Sequence, residues 1–292
     1  MKDLTGQLFG GSWTEKKLEI LNKYLASYNT ALKNQPFKRV YIDAFAGTGY
    51  RKQRENQYKY QGFFEELEQD ESKQFLKGSA KLALEANPSF DKYIFIESDK
   101  NKIDELEKLK KEHPEKISQI EIVQSDANDF IQNYCKKEDW KNNRAVLFLD
   151  PFATQVEWRT IEAVANTKCI DVWILFPLMA VNRLLARDPE KILYEPLNRF
   201  FGTEEWFECF YKTKKLNVIF GKSEVVFKDC DFQRIAEFYK ERLKSIFTGV
   251  AEKTKVLYNS RQSPLFQLFF AAGNPKGAPI AIKIAEHLMK NI

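Results

Sequence analysis

Four acidic residues stand out because each one follows a short apolar stretch that is typical of a buried β-strand. They are Asp43, Glu97, Asp126 and Asp150. The carboxyl ends of parallel strands meet at one edge of a sheet, and ligands bind in the crevice beyond that edge. Because an ionised carboxylate only accepts hydrogen bonds, a row of them predicts a site for the hydroxyl and amino groups of a ligand. A single acid in such a place is often only a helix N-cap, but coincidence explains four acids at four successive strand ends much less well.

The first of these acids leads into a glycine-rich turn. Residues 40–42 are β-branched or aromatic, as a buried strand prefers, and Gly47 and Gly49 follow shortly after Asp43. Glycines lack a Cβ atom, which lets the backbone approach a ligand closely. The third glycine of the dinucleotide-binding GxGxxG fingerprint is missing, and the turn is not a Walker A loop. The alternative is a plain turn between a strand and a helix.

The elements that must position these residues alternate between strands and helices. The predicted strands are residues 40–42, 93–96, 120–123, 145–149 and 170–176. Strands separated by helical segments are typical of a parallel sheet with helices on both faces. After Pro177, residues 255–258 and 265–270 predict an antiparallel strand pair, and residues 279–289 predict a closing helix. The predicted fold class is therefore α/β, with a doubly wound, mostly parallel sheet and an antiparallel C-terminal strand pair.

The 292 residues suit one domain with additions. The predicted additions are an N-terminal helical extension at residues 1–36, an insertion at residues 50–78 and a helical addition at residues 179–250. The insertion is basic and rich in tyrosine in its first part and acidic in its second. Basic residues interleaved with aromatic ones can follow a phosphate backbone and stack on bases. The alternative is a solvated loop without such a role.

Composition narrows the function classes. Lysine and arginine number 46 against 41 acidic residues, and the net charge of +5 permits a nucleic-acid partner without requiring one. Residues 1–6 lack the apolar stretch of a signal peptide and no run reaches the ~18 apolar residues of a membrane helix, so we expect no membrane contact. Four dispersed cysteines predict reduced thiols in a cytoplasmic protein. Having only two histidines disfavours histidine-based metal or triad chemistry, and no metal site is predicted.

A row of carboxylates at successive strand ends is the arrangement by which class I methyltransferases bind S-adenosylmethionine. The residues expected at the amino-acid and sulfonium end of this cofactor are Asp43, Phe45, Gly47 and Gly49. Glu97, beside Ser98, would accept hydrogen bonds from both ribose hydroxyls, which need a pair of acceptors. Asp126, beside Ala127, would accept from the adenine amino group.

The spacing of the first two acids differs from that of a simple βαβ unit. Asp43 and Glu97 are 54 residues apart (97 − 43), whereas a simple unit places such acids roughly 20 apart. The insertion at residues 50–78 accounts for the difference. A Rossmann dehydrogenase domain is the alternative architecture. It is disfavoured by the missing GxGxxG fingerprint and by the lack of an evident acid or base for hydride transfer.

Four longer segments carry a resemblance to a known family. They are Trp13-Thr-Glu-Lys-Lys-Leu-Glu-Ile-Leu21, Tyr41-Ile-Asp-Ala-Phe-Ala-Gly47, Leu149-Asp-Pro-Phe-Ala-Thr-Gln-Val-Glu-Trp158 and Ile170-Asp-Val-Trp-Ile-Leu-Phe-Pro177. Together they are similar to segments of the three-Cys-motif partner protein (TcmP) family, over nearly the whole chain. The resemblance implies a class I methyltransferase fold. It also implies a partner, a bacterial protein with three cysteines encoded by a neighbouring gene, but it leaves the substrate poorly defined.

The end of the fourth strand suggests what the methyl group is transferred to. Asp150-Pro151-Phe152 is similar to the (Asp/Asn/Ser)-Pro-Pro-(Tyr/Phe) motif of amino-methyltransferases that act on adenine. The resemblance implies that the acid accepts from the target amino group and that the aromatic ring stacks on the base. This chain has one proline where the motif has two, which shortens the loop. The alternative is a strand stopped by proline and followed by a core phenylalanine.

These observations lead to three hypotheses. The first is a cytoplasmic bacterial or phage S-adenosylmethionine-dependent methyltransferase that acts on an amino group of a base in RNA or DNA. The second is a non-catalytic or partner-dependent module that binds the three-Cys-motif protein. The third is a metal-dependent nuclease or phosphate-transfer enzyme using Asp43, Glu97 and Asp150. The third is disfavoured because separate strand ends hold these acids too far apart for a compact metal cluster.

Overall fold

The computed structural model describes residues 12–44, 78–151, 153–218, 221–259 and 261–292. Its strands, in chain order, are β1 (Lys38–Ala44), β2 (Lys92–Glu97), β3 (Ile120–Gln124), β4 (Asn143–Leu149), β5 (Ile170–Phe176), β6 (Tyr211–Val218), β7 (Gly221–Lys228), β8 (Gly249–Val250), β9 (Lys255–Tyr258) and β10 (Pro264–Ala272). Eight of these described strands form one sheet in the order β3-β2-β1-β4-β5-β10-β8, with β9 also paired to β10. Strands β1 to β5 run parallel, whereas β10 is antiparallel to β5, β8 and β9. The predicted fold class is confirmed.

Helices cover both faces of this sheet. They are α1 (Ser12–Leu32), α2 (residues 78–85), α3 (Lys100–Glu112), α4 (Ala127–Lys137), α5 (Trp158–Thr167), α6 (Leu178–Leu184), α7 (Tyr194–Phe201), α8 (Trp206–Phe210), α9 (Phe232–Lys244) and α10 (Ala278–Asn291). Alternate strand residues point to opposite faces, so Val40 and Ile42 pack with helices α4 to α9, while Tyr41 packs with α1, α2, α3 and α10. The two apolar layers explain why the central strands are apolar almost throughout. Within the described ranges, no helix combines the length and the apolar character needed to cross a bilayer.

The N-terminal helix α1 lies against the sheet as one side of the second apolar layer. Tyr24 and Leu25 are buried in that layer, and the indole of Trp13 packs on Phe266 of β10 with ring centroids 5.1 Å apart. The predicted helical extension is therefore part of the packed domain over its described length. The predicted insertion at residues 50–78 falls outside the described residues, except for residue 78.

The predicted helical addition at residues 179–250 differs from the structure in two respects. Its first part is broken into three short helices. Gly202 ends α7 in a left-handed conformation with φ of +67°, and a Cβ atom there would overlap the Trp158 indole. Its second part is an antiparallel hairpin of β6 and β7, which the polar sequence of β6 did not indicate. The structure also adds the short edge strand β8.

Candidate functional site

Three of the predicted acids meet at the carboxyl edge of the sheet, where the strand order reverses. Strand β1 has β2 on one side and β4 on the other, and in the strand register Ala44 lies opposite Ile96 and Leu149. Asp43 precedes Ala44, and Glu97 and Asp150 directly follow its two partners. The structure therefore brings Asp43, Glu97 and Asp150 to adjoining strand ends. Open α/β sheets bind ligands in the crevice at such a reversal.

Asp43 is a buried carboxylate that is only partly satisfied. Its side chain is 1% exposed, and Oδ2 accepts a hydrogen bond from the Tyr41 hydroxyl at 3.1 Å. Its other oxygen, Oδ1, has no partner at hydrogen-bonding distance among the described residues, although the Ser79 hydroxyl, which also lacks a partner there, is near enough to lower the pKa of the carboxyl. The pKa of Asp43 is raised to about 7, mainly by burial and also by the charge of Asp150, while the hydroxyls of Ser79 and Tyr41 and the charge of Lys17 act against the increase. Asp43 can thus gain or lose its proton near neutral pH.

Glu97 is also buried and partly satisfied. Its Oε1 accepts hydrogen bonds from the backbone amides of Ser98 and Asp99, both at 2.7 Å. Its Oε2 accepts no hydrogen bond from the described part of the chain, although the Lys102 ammonium lies 4.0 Å away. Burial raises the pKa of Glu97, whereas Lys102 and the two amides lower it. The amide of Ser98, a predicted site residue, thus orients Glu97 and leaves Oε2 available.

Asp126 takes the helix-capping role that the sequence left open. Its Oδ1 accepts hydrogen bonds from the backbone amides of Asn128 and Asp129 at 2.9 and 3.2 Å, which caps the N-terminus of α4. Ala127 is the first residue of that helix and is buried. Capping explains why an acid follows β3. A contact of Asp126 and Ala127 with adenine stays a prediction.

Asp150 is held by a lysine from the N-terminal helix. The Lys17 ammonium donates to Asp150 Oδ2 at 3.1 Å, and the lysine side chain is 2% exposed. The same ammonium lies 4.8 Å from the centroid of the Trp13 ring, a cation–π contact. Burial raises the pKa of Asp150, while Lys17 lowers it and favours the carboxylate. With 15% of its side chain exposed, Asp150 keeps a small surface towards solvent.

The segment after Asp150 is fastened to α4 by one buried amide. The Asn128 side chain donates to the backbone carbonyl of Gln155 at 2.9 Å and accepts from the backbone amide of Glu157 at 3.0 Å. Its oxygen also accepts from the Thr160 hydroxyl at 2.9 Å. Pro151 is buried at the start of this segment. These bonds fix the segment that leads away from Asp150, so the carboxylate lies on a supported loop.

Several residues of the site were not among the predicted ones. They are Lys17, Tyr41, Lys102 and Asn128. For Lys17 a signal existed in the sequence, since it lies on the apolar face of α1, one helical turn before Leu21. A lysine on a buried face requires a partner, and that partner is Asp150. Four predicted site residues lie outside the described residues: Phe45, Gly47, Gly49 and Phe152.

Comparison with known proteins supports the fold and does not identify a family. No protein-family model and no curated protein sequence matches the chain. Protein LPL1258 from Legionella pneumophila, described by the family model DUF519, is 13% identical, with a TM-score of 0.50 over 95% of this chain and 91% of its own. Spermidine synthase in complex with a transition-state analogue gives 12% identity and a TM-score of 0.42, over 94% of this chain and 64% of its own. The plantazolicin methyltransferase BpumL in complex with SAH is 12% identical, with a TM-score of 0.32 over 90% of this chain and 85% of its own.

These likenesses bear on the fold alone. The identities are low, and the second and third structures are too distant to carry an argument. What defines the fold is the sheet itself, with five parallel strands in the order β3-β2-β1-β4-β5 and an antiparallel strand next to β5. The chain therefore has a Rossmann-like fold of the class I methyltransferase type.

Proposed function

We propose that this chain is an S-adenosylmethionine-dependent methyltransferase that acts on an amino group of a nucleic-acid base. The observation that carries the proposal is a pair of buried acceptor atoms to which the described residues supply no hydrogen-bond donor, Asp43 Oδ1 and Glu97 Oε2, at the carboxyl ends of neighbouring strands. A buried acceptor without a donor costs about 1–3 kcal/mol, which a bound donor would recover. A ligand that donates hydrogen bonds or carries positive charge satisfies both atoms.

The residues at this edge fit S-adenosylmethionine. Glu97 Oε2 supplies an acceptor for a ribose hydroxyl, while the Ser98 and Asp99 amides hold the carboxylate in place. Asp43 supplies a buried carboxylate for the ammonium and sulfonium groups of the cofactor, and a nearby cation favours its ionised form. When bound, the cofactor supplies a methyl group on a positively charged sulfur. Asp126 and Ala127 would then lie towards the adenine ring.

Asp150 is the residue that we assign to the acceptor amine. Lys17 opposes the burial-driven increase in the pKa of Asp150, and the side chain retains some exposure, so its carboxylate can accept a hydrogen bond from a target amino group. Accepting that bond directs the nitrogen lone pair towards the methyl group, and no strong base is needed. A base that is to reach this loop must leave its stack, which single-stranded nucleic acid allows at low cost. Stacking of the base on Phe152 stays a prediction.

A methyl-transfer assay tests this function. Wild-type protein is incubated with tritiated S-adenosylmethionine and single-stranded RNA or DNA, and digested nucleosides are separated to locate the label. We expect labelled N-methylated bases, and about a hundredfold slower transfer in Asp150→Asn, the usual effect of removing one positioned hydrogen-bonding group. Asp104→Asn, at an exposed acid of α3, is the matched control and should retain wild-type activity. Transfer to a base that is unaffected by Asp150→Asn would contradict the role of Asp150, and absence of label in any nucleoside would contradict the function.

A further inference from the structure

The hairpin of β6 and β7 packs on the protein with one face at its root, where Tyr211 is buried, and both of its faces are exposed further along, at Thr213, Lys214 and Lys215. Residues opposite one another in the ladder share a face, so Lys212 pairs with Phe227 and Lys214 with Val225 on one side. The other side carries Tyr211, which is buried. Because alternate residues face opposite ways, the lysine-bearing side must point away from the protein.

This solvent face combines cations with exposed apolar side chains. Lys212 and Lys214 are exposed, and so are Val225 and Phe227, with 43% and 38% of their side chains accessible. Lys212 also forms an ion pair with Asp229. Residues 211–229 contain five lysines and two acids over both faces of the hairpin, a net charge of +3 (5 − 2), and of these lysines Lys212 and Lys214 lie on the solvent face. Cations that follow a phosphate backbone beside an aromatic ring that stacks on a base are the usual means of binding single strands.

The root of the hairpin is attached next to the proposed active site. The Lys228 ammonium donates to the backbone and side-chain oxygens of Asn182 at 2.9 and 2.8 Å, and the Tyr211 hydroxyl donates to the Ala186 carbonyl at 2.7 Å. Asn182 lies in α6, within about 7 Å of the start of that helix at the carboxyl end of β5. Strand β5 pairs with β4, which ends at Asp150. The hairpin therefore arises at the edge of the sheet that holds Asp150.

We infer that the solvent face of the β6–β7 hairpin binds a single-stranded nucleic acid, with Lys212 and Lys214 on phosphates and Phe227 against an unpaired base. The inference rests on the proposed function, because it identifies the surface that delivers the strand to Asp150. A protein partner fits this face less well. A stable protein interface buries about 800 Å² on each side, and two apolar side chains supply only a small part of that area.

Fluorescence anisotropy with a labelled single-stranded RNA of about 20 nucleotides, in the absence of cofactor, tests the inference. The variant Lys214→Glu/Phe227→Ala should bind the RNA at least about tenfold more weakly, because it loses one phosphate contact and one stacking platform. Its affinity should also depend less steeply on salt between about 50 and 200 mM. Lys283→Glu/Ile280→Ala is the matched control. It removes an exposed lysine and an exposed apolar side chain from α10, on the opposite face of the sheet, and should bind like wild type.

Three results would overturn the inference: equal affinity of the hairpin variant and wild type, equal or tighter binding of a duplex of the same sequence, or displacement of the RNA by polyglutamate as effective as by unlabelled RNA. The last of these would indicate an acidic protein partner. Since binding is measured without cofactor, the two proposals can fail separately. RNA that binds through the hairpin but is never methylated would contradict only the proposed function. Methyl transfer by the wild type, with RNA affinity unchanged in the hairpin variant, would contradict only the inference about the hairpin.

Discussion

Two buried aspartates lie at opposite edges of the same sheet, and each accepts a hydrogen bond from a buried tyrosine. Asp171, near the start of β5, accepts from the Tyr24 hydroxyl at 3.0 Å on one oxygen and from the Gly273 amide at 3.3 Å on the other. Asp43, near the end of β1, accepts from Tyr41 at 3.1 Å on one oxygen, while the other has no donor among the described residues. At the amino ends of the parallel strands, both oxygens of Asp171 accept hydrogen bonds from within the protein. At the carboxyl edge, the described residues leave one Asp43 oxygen without a donor, and we propose that a ligand supplies one.

The pKa values of the two aspartates follow this difference. Burial raises the pKa of Asp171 to about 6, and the bonds from Tyr24 and Gly273 limit the increase. Burial raises the pKa of Asp43 to about 7, and here the charge of Asp150 adds to the increase. Burial also raises the pKa of Tyr24 and Tyr41 well above its usual value, so both hydroxyls remain donors. The ionised form of Asp43 is therefore the less stabilised of the two.

Replacing Asp43 or Asp171 with asparagine should show the largest difference between the two aspartates. At pH 7, Asp171→Asn should lower the free energy of unfolding by about 1–3 kcal/mol, because the new amide group can accept on only one side and leaves Tyr24 or Gly273 without an acceptor. Asp43→Asn should be as stable as wild type or more so, because it keeps an acceptor for Tyr41 and removes a buried charge. Urea unfolding of both variants measures the difference. Equal loss of stability in the two variants would mean that both carboxylates are structural.

The pH dependence of the free energy of unfolding should reveal the raised pKa of Asp43. An acid with a raised pKa in the folded state binds its proton more tightly there than in the unfolded chain, so stability falls as pH rises through the window between the two pKa values. For Asp43 that window runs from its usual value of 3.8 up to about 7. Between pH 5.5 and pH 8, wild type should therefore lose about 1–2 kcal/mol more than Asp43→Asn. Thermal unfolding at both pH values checks this, and parallel losses would show that Asp43 titrates normally.

Asp150 is intermediate between Asp171 and Asp43. One of its oxygens accepts a hydrogen bond from Lys17, and part of its side chain stays exposed. Lys17→Met should slow methyl transfer about tenfold and leave cofactor affinity nearly unchanged, because the lysine acts through Asp150. Loss of the cation raises the pKa of Asp150, so the acid limb of the pH–rate profile should move to higher pH. Lys17→Arg should restore part of the rate, and Lys16→Met, at an exposed position of α1, should behave like wild type. An unshifted pH profile in Lys17→Met would limit the lysine to a structural role.

Local sequence patterns predicted the parallel core of the fold well. Strand β5 spans residues 170–176, as expected from a mostly apolar run that ends at Pro177. Strand β6 could not be found in the same way. Its sequence runs Lys212-Thr-Lys-Lys215 without apolar alternation, and its conformation depends on pairing with β7. Short-range patterns therefore identify strands with a buried face and miss strands that depend mainly on a partner.

In the candidate site, too, local sequence patterns identified some residues and missed those that depend on a contact with a distant residue. The acids at the ends of β1, β2 and β4 were predicted because each directly follows the apolar residues of its own strand. The contact of Lys17 with Asp150 joins residues 133 positions apart, and that of Tyr24 with Asp171 joins residues 147 apart, so no local pattern contains either pair. The roles of Phe45, the two glycines of the turn and Phe152 stay predictions, as does the three-Cys-motif partner.

Calorimetric titration with S-adenosylmethionine and S-adenosylhomocysteine tests most directly whether the carboxyl edge of the sheet is a cofactor site. We expect saturable binding of both by the wild type and an affinity lower by about a hundredfold in Glu97→Ala, in which the ribose hydroxyls lose a charged acceptor. Glu105→Ala, on α3, is the control and should bind normally. Equal affinity in wild type and Glu97→Ala would contradict the ribose assignment. Absence of binding by the wild type, also with RNA present, would contradict the account of this edge as a cofactor site.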